Sequence, residues 1–304
     1  LYHEYKRGVT AGYAKYETFP IWNLPLKHPV NIAYEAATVD LDDANCIDPF
    51  HLEAYGKTTV NYNRDVEIFP VLKTMMEKIA GESPYQSPTD MGVNMAGLAI
   101  VDDEAVRDAA KMEIVRRYFQ AAVDARRSGL HEEYVERLEL LMNQAGIDAS
   151  FSPARSAALL KEETTGGPAG AMVLPDGRVV TGKTSPLLGA ASSLLMNALK
   201  AVAGVDEDIF VIKDEVIEPI CSLKTSTLHS KNPRLHSDET LLALSVSSAT
   251  DPVAAQLIEH AGDLRGCDAF FSVILSETDE KLYRTLGINV CCEPKYEQRR
   301  YYHK

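Results

Sequence analysis

The stretch AMVLPDGRVVTGKT (residues 171–184), with the apolar run that follows it from Pro186 to Ala203, decides the fold of the second half of the chain. Short runs of strand-forming residues flank Asp176 and Gly177, a pair that favours a tight hairpin turn. The apolar run is long enough for a helix, and Gly204 can end that helix in a left-handed conformation. The stretch therefore predicts a β-hairpin that leads into a buried helix.

Strands and helices continue to alternate downstream of this hairpin. The predicted order is a strand at 209–212, helices near 241 and at 253–261, a strand at 269–275, a helix at 280–286 and a strand at 288–292. Such alternation is typical of layered α/β sheet domains. Residues 148–304 are therefore predicted to form a three-layer α/β domain. Its first residues, 148–167, are rich in Ser, Thr, Gly and charge, and they are predicted to be a linker.

The first half of the chain mixes short helices with loops. Apolar residues recur at helical spacing between Val30 and Leu41. Pro70, which favours the first turn of a helix, precedes a helical stretch that ends at Gly81. Two helical patterns within residues 102–146, joined by a turn at 126–129, predict a helical hairpin. The fold class is α/β, with a mixed α+β loop-rich domain at 1–98, the hairpin at 99–147 and the α/β domain at 148–304.

Composition and charge narrow the expected partners. Acidic residues outnumber basic ones, 44 to 31, and the formal charge is −13. Such a surface repels phosphate backbones and anionic lipids, so neither nucleic acid nor a membrane is expected as a partner. Ser192, Asn197 and Lys200 interrupt the longest apolar stretch, which argues against a membrane span.

Cysteine usage predicts the compartment of the chain, and its first residues predict that it is part of a longer protein. The five scattered cysteines fit a reducing compartment, so a cytoplasmic location is expected. The chain opens at Leu1 with a polar helical run and no initiator methionine. That opening predicts that the chain is the carboxy-terminal part of a longer protein.

Residues Gly177 to Thr184 fit the phosphate-loop pattern G-x-x-x-x-G-K-[ST]. A phosphate loop needs a flexible turn after a strand, whereas here the first glycine closes a hairpin and the four variable residues favour a strand. A paired strand cannot wrap around a phosphate, so the motif is interpreted as part of the hairpin. Lys183, Thr184 and Ser185 could still hold an anion at the start of the helix, or they merely cap it.

Two partial zinc motifs lack their remaining ligands. His131-Glu132 begins the pattern H-E-x-x-H, but Val135 stands where the second histidine is needed. His51-Leu-Glu53 fits half of a zinc deaminase signature, yet Cys291 and Cys292 are adjacent rather than spaced as P-C-x-x-C. No zinc is therefore expected, and a structural or substrate-contacting role is predicted for His51.

The loops between residues 27 and 94 carry acids, bases and amides between short apolar runs. Because loops on a rigid scaffold often hold functional groups, this region is the predicted ligand site. The candidate catalytic residues are His51, Asp48, Asp90 and Arg64, and the candidate ligand-binding residues are Lys27, His28, Asn31, Asn63, Thr89 and Asn94. The histidine with either aspartate would supply an acid or a base, and Lys27 and Arg64 would neutralise developing charge. The alternative is that these side chains cap helices and pair with one another.

Four strings, Ile47–Gly56, Asn61–Asp65, Ser87–Asn94 and Thr181–Ala190, resemble an uncharacterised prokaryotic family catalogued as domain of unknown function 1846. The resemblance runs along essentially the whole chain. It implies longer members with an upstream α/β portion that ends in a glycine-rich loop, through which ATP or another nucleotide could bind. It also implies a last domain similar in topology to cytidine deaminases. Some members carry the label ATP-dependent peptidase, which the incomplete H-E-x-x-H does not support.

The residues and the resemblance support two hypotheses of function. In the first, the complete protein is a nucleotide- or phosphate-dependent enzyme acting on a small molecule, and the 27–94 loops present the acceptor. In the second, it is a noncatalytic module that binds a small-molecule ligand or mediates self-association. A weaker third hypothesis makes Gly182-Lys-Thr184 an anion site in its own right. A homo-oligomer is expected.

Overall fold

A computed structural model describes residues 1–15 and 19–297 of the chain. The chain is an α/β protein, as predicted, and divides into two compact units. Unit 1 comprises residues 1–118 and 131–151, and unit 2 comprises residues 119–130 and 152 onward. The division into three domains at residues 98 and 147 stays a prediction. Among the described residues, no helix combines the length and the apolar character needed to cross a bilayer.

Unit 1 is largely helical and contains a two-stranded antiparallel sheet that pairs Asn45 with Tyr62. Part of its core is formed by Phe69, Met76 and Met91. Its elements are α1 (Tyr2–Lys6), α2 (Pro29–Ala37), β1 (Asn45–Ile47), α3 (Pro49–Tyr55), β2 (Val60–Tyr62), α4 (Asn63–Ala80), the first part of α5 (Asp103–Ser128) and α6 (Glu132–Gln144). The two predicted helices of the 99–147 segment are present, since α5 and α6 are separate helices with Gly129 at φ 71° between them. Their packing as a helical hairpin stays a prediction.

The predicted start of α4 is wrong. α4 begins at Asn63, and Pro70 lies inside it instead of in its first turn. An internal proline removes one backbone hydrogen bond and normally ends or bends a helix, so the sequence favoured a start there. The helix continues because Phe69 and Met76, on either side of the proline, are buried in one core cluster. The predicted end is confirmed, since Gly81 adopts φ 89° at the C-cap.

Unit 2 is built on a four-stranded sheet. Its elements are α7 (Pro153–Thr165), β3 (Ala169–Val173), β4 (Val179–Lys183), α8 (Ala190–Ala203), α9 (Asp214–Ser222), α10 (Ser237–Ser248), α11 (Pro252–Glu259), β5 (Asp268–Phe271), α12 (Glu277–Thr285) and β6 (Asn289–Cys292). The strand order is β4-β3-β5-β6, with β3 antiparallel to β4 and β5, and β5 parallel to β6. The deaminase-like topology that the resemblance implies stays a prediction.

The hairpin and the buried helix that open unit 2 are confirmed. Gly177 turns the chain between β3 and β4 at φ 82°, and Gly204 ends α8 at φ 67°. α8 begins at Ala190, later than the predicted Pro186. Its side chains Leu194, Leu195 and Leu199 are fully buried, and each such side chain stabilises the fold by about 1.5 to 3 kcal/mol.

Two other predictions for unit 2 are wrong. The predicted linker contains α7, whose residues Ala154 and Ala158 are buried against the sheet. Small alanines leave a weak apolar signal in the sequence, although Ser152 caps the helix as a helix start requires. Residues 209–212 form a loop and not a strand. Phe210 there is 91% exposed, so this apolar run does not mark a buried strand.

The interpretation of the phosphate-loop motif as part of a hairpin is confirmed. Three of its four variable residues, Val179 to Thr181, lie in β4, and Gly182 of the same strand pairs with Gly170 of β3. A methyl group at Gly182 would overlap the backbone of Leu194 and lie 2.5 Å from its Cα. The glycine is needed because α8 packs directly on the strand. This packing explains why residue 182 is a glycine, and no bound phosphate is needed to explain it.

Candidate functional site

The predicted site residues of unit 1 lie near one another but are held in structural hydrogen bonds. Asp48 is fully buried at the N-cap of α3. Its carboxylate accepts hydrogen bonds from the backbone amides of Phe50 and His51, and from both the amide and the hydroxyl of Thr89. A carboxylate with four short bonds of this kind ties α3 to the 87–91 loop. It has little capacity left to act as a base.

His51 and Asp90 do come together, but not in the geometry of a nucleophile and its base. The His51 Nδ1 lies 2.9 Å from Ser87 Oγ and 3.7 Å from Asp90 Oδ1. In a catalytic triad the acid and the hydroxyl contact opposite nitrogens of the ring. Ser87 and Asp90 also form a capping box with each other, and Tyr55 donates to Asp90. This arrangement is typical of a loop anchor.

The other predicted residues of unit 1 are dispersed. Arg64 lies 3.2 Å from the buried carboxylate of Asp43, and the Asn63 side chain accepts from the amide of Ala44. His28 caps α2 and lies 2.9 Å from Asp103. Asn31, which is fully buried, exchanges hydrogen bonds with the backbone of Ile21. Asn94 donates to the Phe19 carbonyl and to the Tyr34 hydroxyl. The Thr89 hydroxyl donates to Asp48, and Lys27 is exposed. Their catalytic or binding roles stay predictions.

The three residues after the phosphate-loop glycine lie in different surroundings. Lys183 is exposed at the end of β4, and Ser185 accepts from the amide of Leu188 in the turn before α8. Thr184 lines a cavity of about 390 Å³ in unit 2. That cavity is the best candidate site in the described chain, because it combines a histidine–aspartate pair with an uncapped helix end.

The histidine–aspartate pair consists of His236, at the N-cap of α10, and Asp279, in the first turn of α12. The His236 Nδ1 lies 3.0 Å from Asp279 Oδ2. Asp279 also accepts from the amide and hydroxyl of Ser237, and from the hydroxyl of Ser276. Both oxygens of the carboxylate are therefore occupied by donors.

These bonds set the charge on both members of the pair. Burial alone would raise the pKa of Asp279, but the hydrogen bonds from His236, Ser237 and Ser276 outweigh it and lower the pKa to about 2. The hydrogen bond to Asp279 raises the pKa of His236 above 6.5, although burial opposes that shift. Because an ionised carboxylate only accepts, His236 Nδ1 must carry a hydrogen. Nε2 is then the nitrogen that gains or loses a proton.

The ring of His236 is open to the cavity. Its side chain is 34% exposed, and no described residue is a hydrogen-bond partner of Nε2. Metal ligands and general bases are commonly oriented in this way, with a carboxylate on the other ring nitrogen. Across residues 1–15 and 19–297, no three His, Cys, Asp or Glu side chains are grouped as a metal site. An imidazole oriented in this way can transfer a proton through its free nitrogen.

The start of α8 forms another wall of the cavity. Gly189 is its N-cap and offers no capping side chain, and its amide donates to the carbonyl of Leu235. The amides of Ala190, Ala191 and Ser192 have no hydrogen-bond acceptor in the described chain. Such amides at a helix start, with the helix dipole, favour an anion. Glycine and alanine side chains are short enough for a ligand to reach this backbone.

Several contacts hold the helix start against the histidine. Leu235, the residue before His236, accepts a hydrogen bond from Ser192 Oγ at 2.7 Å. Tyr283 of α12 is fully buried and donates to the carbonyl of Ala191 at 2.8 Å. The first turn of α8 is thus bonded both to the segment before α10 and to α12. This bonding fixes the position of the open amides relative to the His236–Asp279 pair.

A π-helical turn supports the segment that carries His236. The turn, Leu223–Thr227, follows α9 and directs the buried Lys224 inward. Lys224 Nζ donates to the Arg234 carbonyl and to Glu239 Oε2, each at 2.7 Å. Glu239 in turn accepts from the His236 amide at 2.8 Å. π-Helical turns are rare and frequently occur at functional sites.

Charged side chains of both signs line the cavity. Arg127 donates to Glu280 and to the Leu275 carbonyl, and Arg234 lies 3.3 Å from Glu297. Both arginines are thus paired with acids. The α8 amides and, when protonated, His236 Nε2 remain available to bind an anion.

Comparison with known proteins places the chain in a family. Models described as Domain of unknown function DUF1846, N-terminal and C-terminal, match residues 1–146 and 150–302. The chain belongs to this family. It is 55% identical to a UPF0371 protein from Corynebacterium efficiens and 57% identical to one from Corynebacterium diphtheriae, over 304 residues in each case. A UPF0371 protein from Streptococcus thermophilus is 54% identical over 304 residues.

The chain spans about three fifths of the length of these UPF0371 relatives. The matched residues are 100% of this chain, but 61% of the two corynebacterial proteins and 62% of the streptococcal one. The C-terminal DUF1846 model covers every residue that lines the cavity except Arg127.

Sequence reasoning missed the His236 cavity. Its parts come from residues 189–191, 236 and 276–279, which are far apart in the chain and match no catalytic motif. One local signal was available, because the small residues Gly189, Ala190 and Ala191 begin a strongly apolar helix without a capping side chain. An uncapped start of this kind needs another partner for its amides.

Proposed function

We propose that unit 2 binds a small molecule through a phosphate group at the start of α8, and that His236 transfers a proton to or from that molecule. The observation that carries the proposal is the shared cavity of the His236–Asp279 pair and the open amides of α8. At about 390 Å³ the cavity suits a small ligand. The proposed activity is therefore phosphate-dependent acid–base catalysis on a small molecule.

The roles of the residues follow from their contacts. Asp279 orients the ring and stabilises its protonated form, while Nε2 exchanges the proton with the ligand. The α8 amides bind the anionic group and give it a fixed position, which is the main requirement for an effective proton transfer. This proposal moves the acid–base role from His51 to His236, because Asp48 and Asp90 are occupied by caps in unit 1.

Sulfate binding tests the proposal, since sulfate resembles phosphate but keeps the same charge across the titration range of histidine. We expect calorimetry on the chain to show sulfate binding that is tight at pH about 6 and weakens as the pH rises through the pKa of His236. His236→Asn should weaken binding at pH about 6 by about tenfold or more, the cost of one charge-assisted hydrogen bond. Asparagine can still donate to Asp279, so the fold should remain intact.

His260→Asn is the matched control. His260 also bonds to an aspartate, with Nδ1 2.7 Å from Asp263 Oδ2, but it lies outside the cavity. This variant should bind sulfate as the unmodified chain does. Equal binding by the His236 and His260 variants, or binding that does not depend on pH, would contradict the proposal.

The noncatalytic alternative is favoured by one observation, the pairing of both cavity arginines with acids, which leaves few charges for catalysis. Phosphorylated sugars and nucleotides that bind can be followed by phosphorus and proton NMR. Conversion that His236→Asn abolishes supports the enzyme. Tight binding of such a ligand without conversion supports a small-molecule-binding module.

A further inference from the structure

A second cavity in unit 2, of about 410 Å³, lies along one side of α8. Ser193, Met196, Asn197 and Lys200 of that helix line it at helical spacing. The turn after β4 and the segment 207–217 form its other sides. We call this cavity the α8 groove. It does not include His236, Asp279 or the open amides described above.

The two walls of the α8 groove carry opposite charge. Lys183 and Lys200 lie on the wall formed by β4 and α8. Glu207, Asp208 and Asp214 lie on the opposite wall. Burial lowers the pKa of Lys200 although the nearby acids raise it, and its Nζ donates to the Glu207 carbonyl at 2.8 Å. Apolar side chains line the groove between the walls, among them Leu187, Met196 and Ile217.

The acidic wall also carries an exposed aromatic side chain. Phe210 is 91% exposed and its neighbour Ile209 is 43% exposed, whereas the next residues, Val211 and Ile212, are buried. Large apolar side chains exposed beside an apolar groove are typical of interaction surfaces. Phenylalanine is also among the residues enriched in the cores of protein interfaces.

We propose that the α8 groove is a self-association surface, in which two copies of the chain pair around a two-fold axis and each inserts Phe210 into the groove of the other. A two-fold interface uses the same surface on both copies, so that surface must contain both halves of every contact. The α8 groove meets this condition, because it presents an exposed aromatic and an apolar cavity, and an acidic and a basic wall. In the pair, Glu207 and Asp208 of each copy face Lys183 of its partner.

Charge complementarity is the reason for choosing a second copy as the occupant. The chain has a net charge of −13, so two copies repel one another at long range. Opposite charges that meet locally offset this repulsion, and the α8 groove supplies the exposed Lys183 together with an acidic segment. An unrelated acidic or basic partner would meet like charge on one of the two walls.

Sedimentation velocity of the chain over a range of concentrations tests this proposal. We expect a dimer that shifts towards monomer in about 0.5 M salt, which screens surface charge. Phe210→Ser should raise the dissociation constant by at least about tenfold, equivalent to about 1.4 kcal/mol. Val101→Ser is the matched control, because Val101 is 100% exposed in unit 1 and should leave the dimer unchanged.

Charge exchange provides the second test. Lys183→Glu should weaken the dimer, and the added change Asp208→Lys should restore part of it, because the two walls then meet with reversed signs. A monomer at all concentrations would overturn the proposal. So would a dimer that Phe210→Ser leaves intact. Sulfate binding at His236 should be the same in the Phe210 variant, so failure here is distinct from failure of the proposed function.

Discussion

Replacing Gly182 with alanine should lower the free energy of unfolding by about 3 kcal/mol, at the upper end of the usual cost of overpacking. A Cβ at this position would overlap the backbone of Leu194 and lie 2.5 Å from its Cα. Backbone atoms in the middle of a buried helix cannot move aside as a flexible side chain can. The strand or α8 would therefore have to shift, and the core that Leu194 and Leu195 fill would be disturbed.

Chemical denaturation of the Gly182→Ala and Gly262→Ala variants measures this effect. Gly262 is the matched control, since an added Cβ there would meet no atom within 4 Å and its φ is not in the left-handed region. Gly262→Ala should change stability by less than about 1 kcal/mol. Equal stability of the two variants would show that α8 does not pack on β4 as described. It would also reopen the interpretation of residues 177–184 as a phosphate loop.

Replacing Asp48 with alanine should cost unit 1 about 3 to 4 kcal/mol, because four buried donors lose a charged acceptor. The donors are the amides of Phe50, His51 and Thr89 and the Thr89 hydroxyl. Without the carboxylate, α3 loses its cap and its connection to the 87–91 loop. Asp48→Asn should be milder, since the amide oxygen can still accept part of these bonds.

Asp251→Ala is the control for the Asp48 variants. Asp251 caps α11 through a single bond to the Val253 amide, so its loss should cost about 1 kcal/mol. Thermal and urea denaturation will show whether Asp48→Ala is clearly worse. If both variants lose the same small amount, Asp48 is not the structural anchor described here, and the catalytic role predicted from the sequence becomes the better explanation.

The fold was predictable where local sequence and tertiary packing agree. Asp176 and Gly177 gave the hairpin, and Gly81 and Gly204 gave two helix ends, because each acts through its own backbone conformation. Prediction failed where packing overrides local preference. Pro70 does not begin a helix because buried side chains extend α4 on both sides of it, and residues 209–212 are apolar without being a strand because Phe210 is exposed.

The candidate site was less predictable than the fold. The sequence drew attention to the 27–94 loops because they are dense in polar groups. It could not show that Asp48 and Asp90 are already used as helix caps. His236 and Asp279 belong to two helices, and their contact depends on how α10 and α12 pack. A single sequence contains no signal for such a long-range pairing.

The most direct test of the central claim is the pKa of His236, measured by NMR on the chain with and without sulfate. The account predicts a pKa above 6.5 in the free chain, in the direction that Asp279 imposes. Asp279→Asn should lower it. Because an anion binds the protonated ring more tightly, sulfate should raise the pKa of His236 further. A pKa that sulfate leaves unchanged would contradict the account.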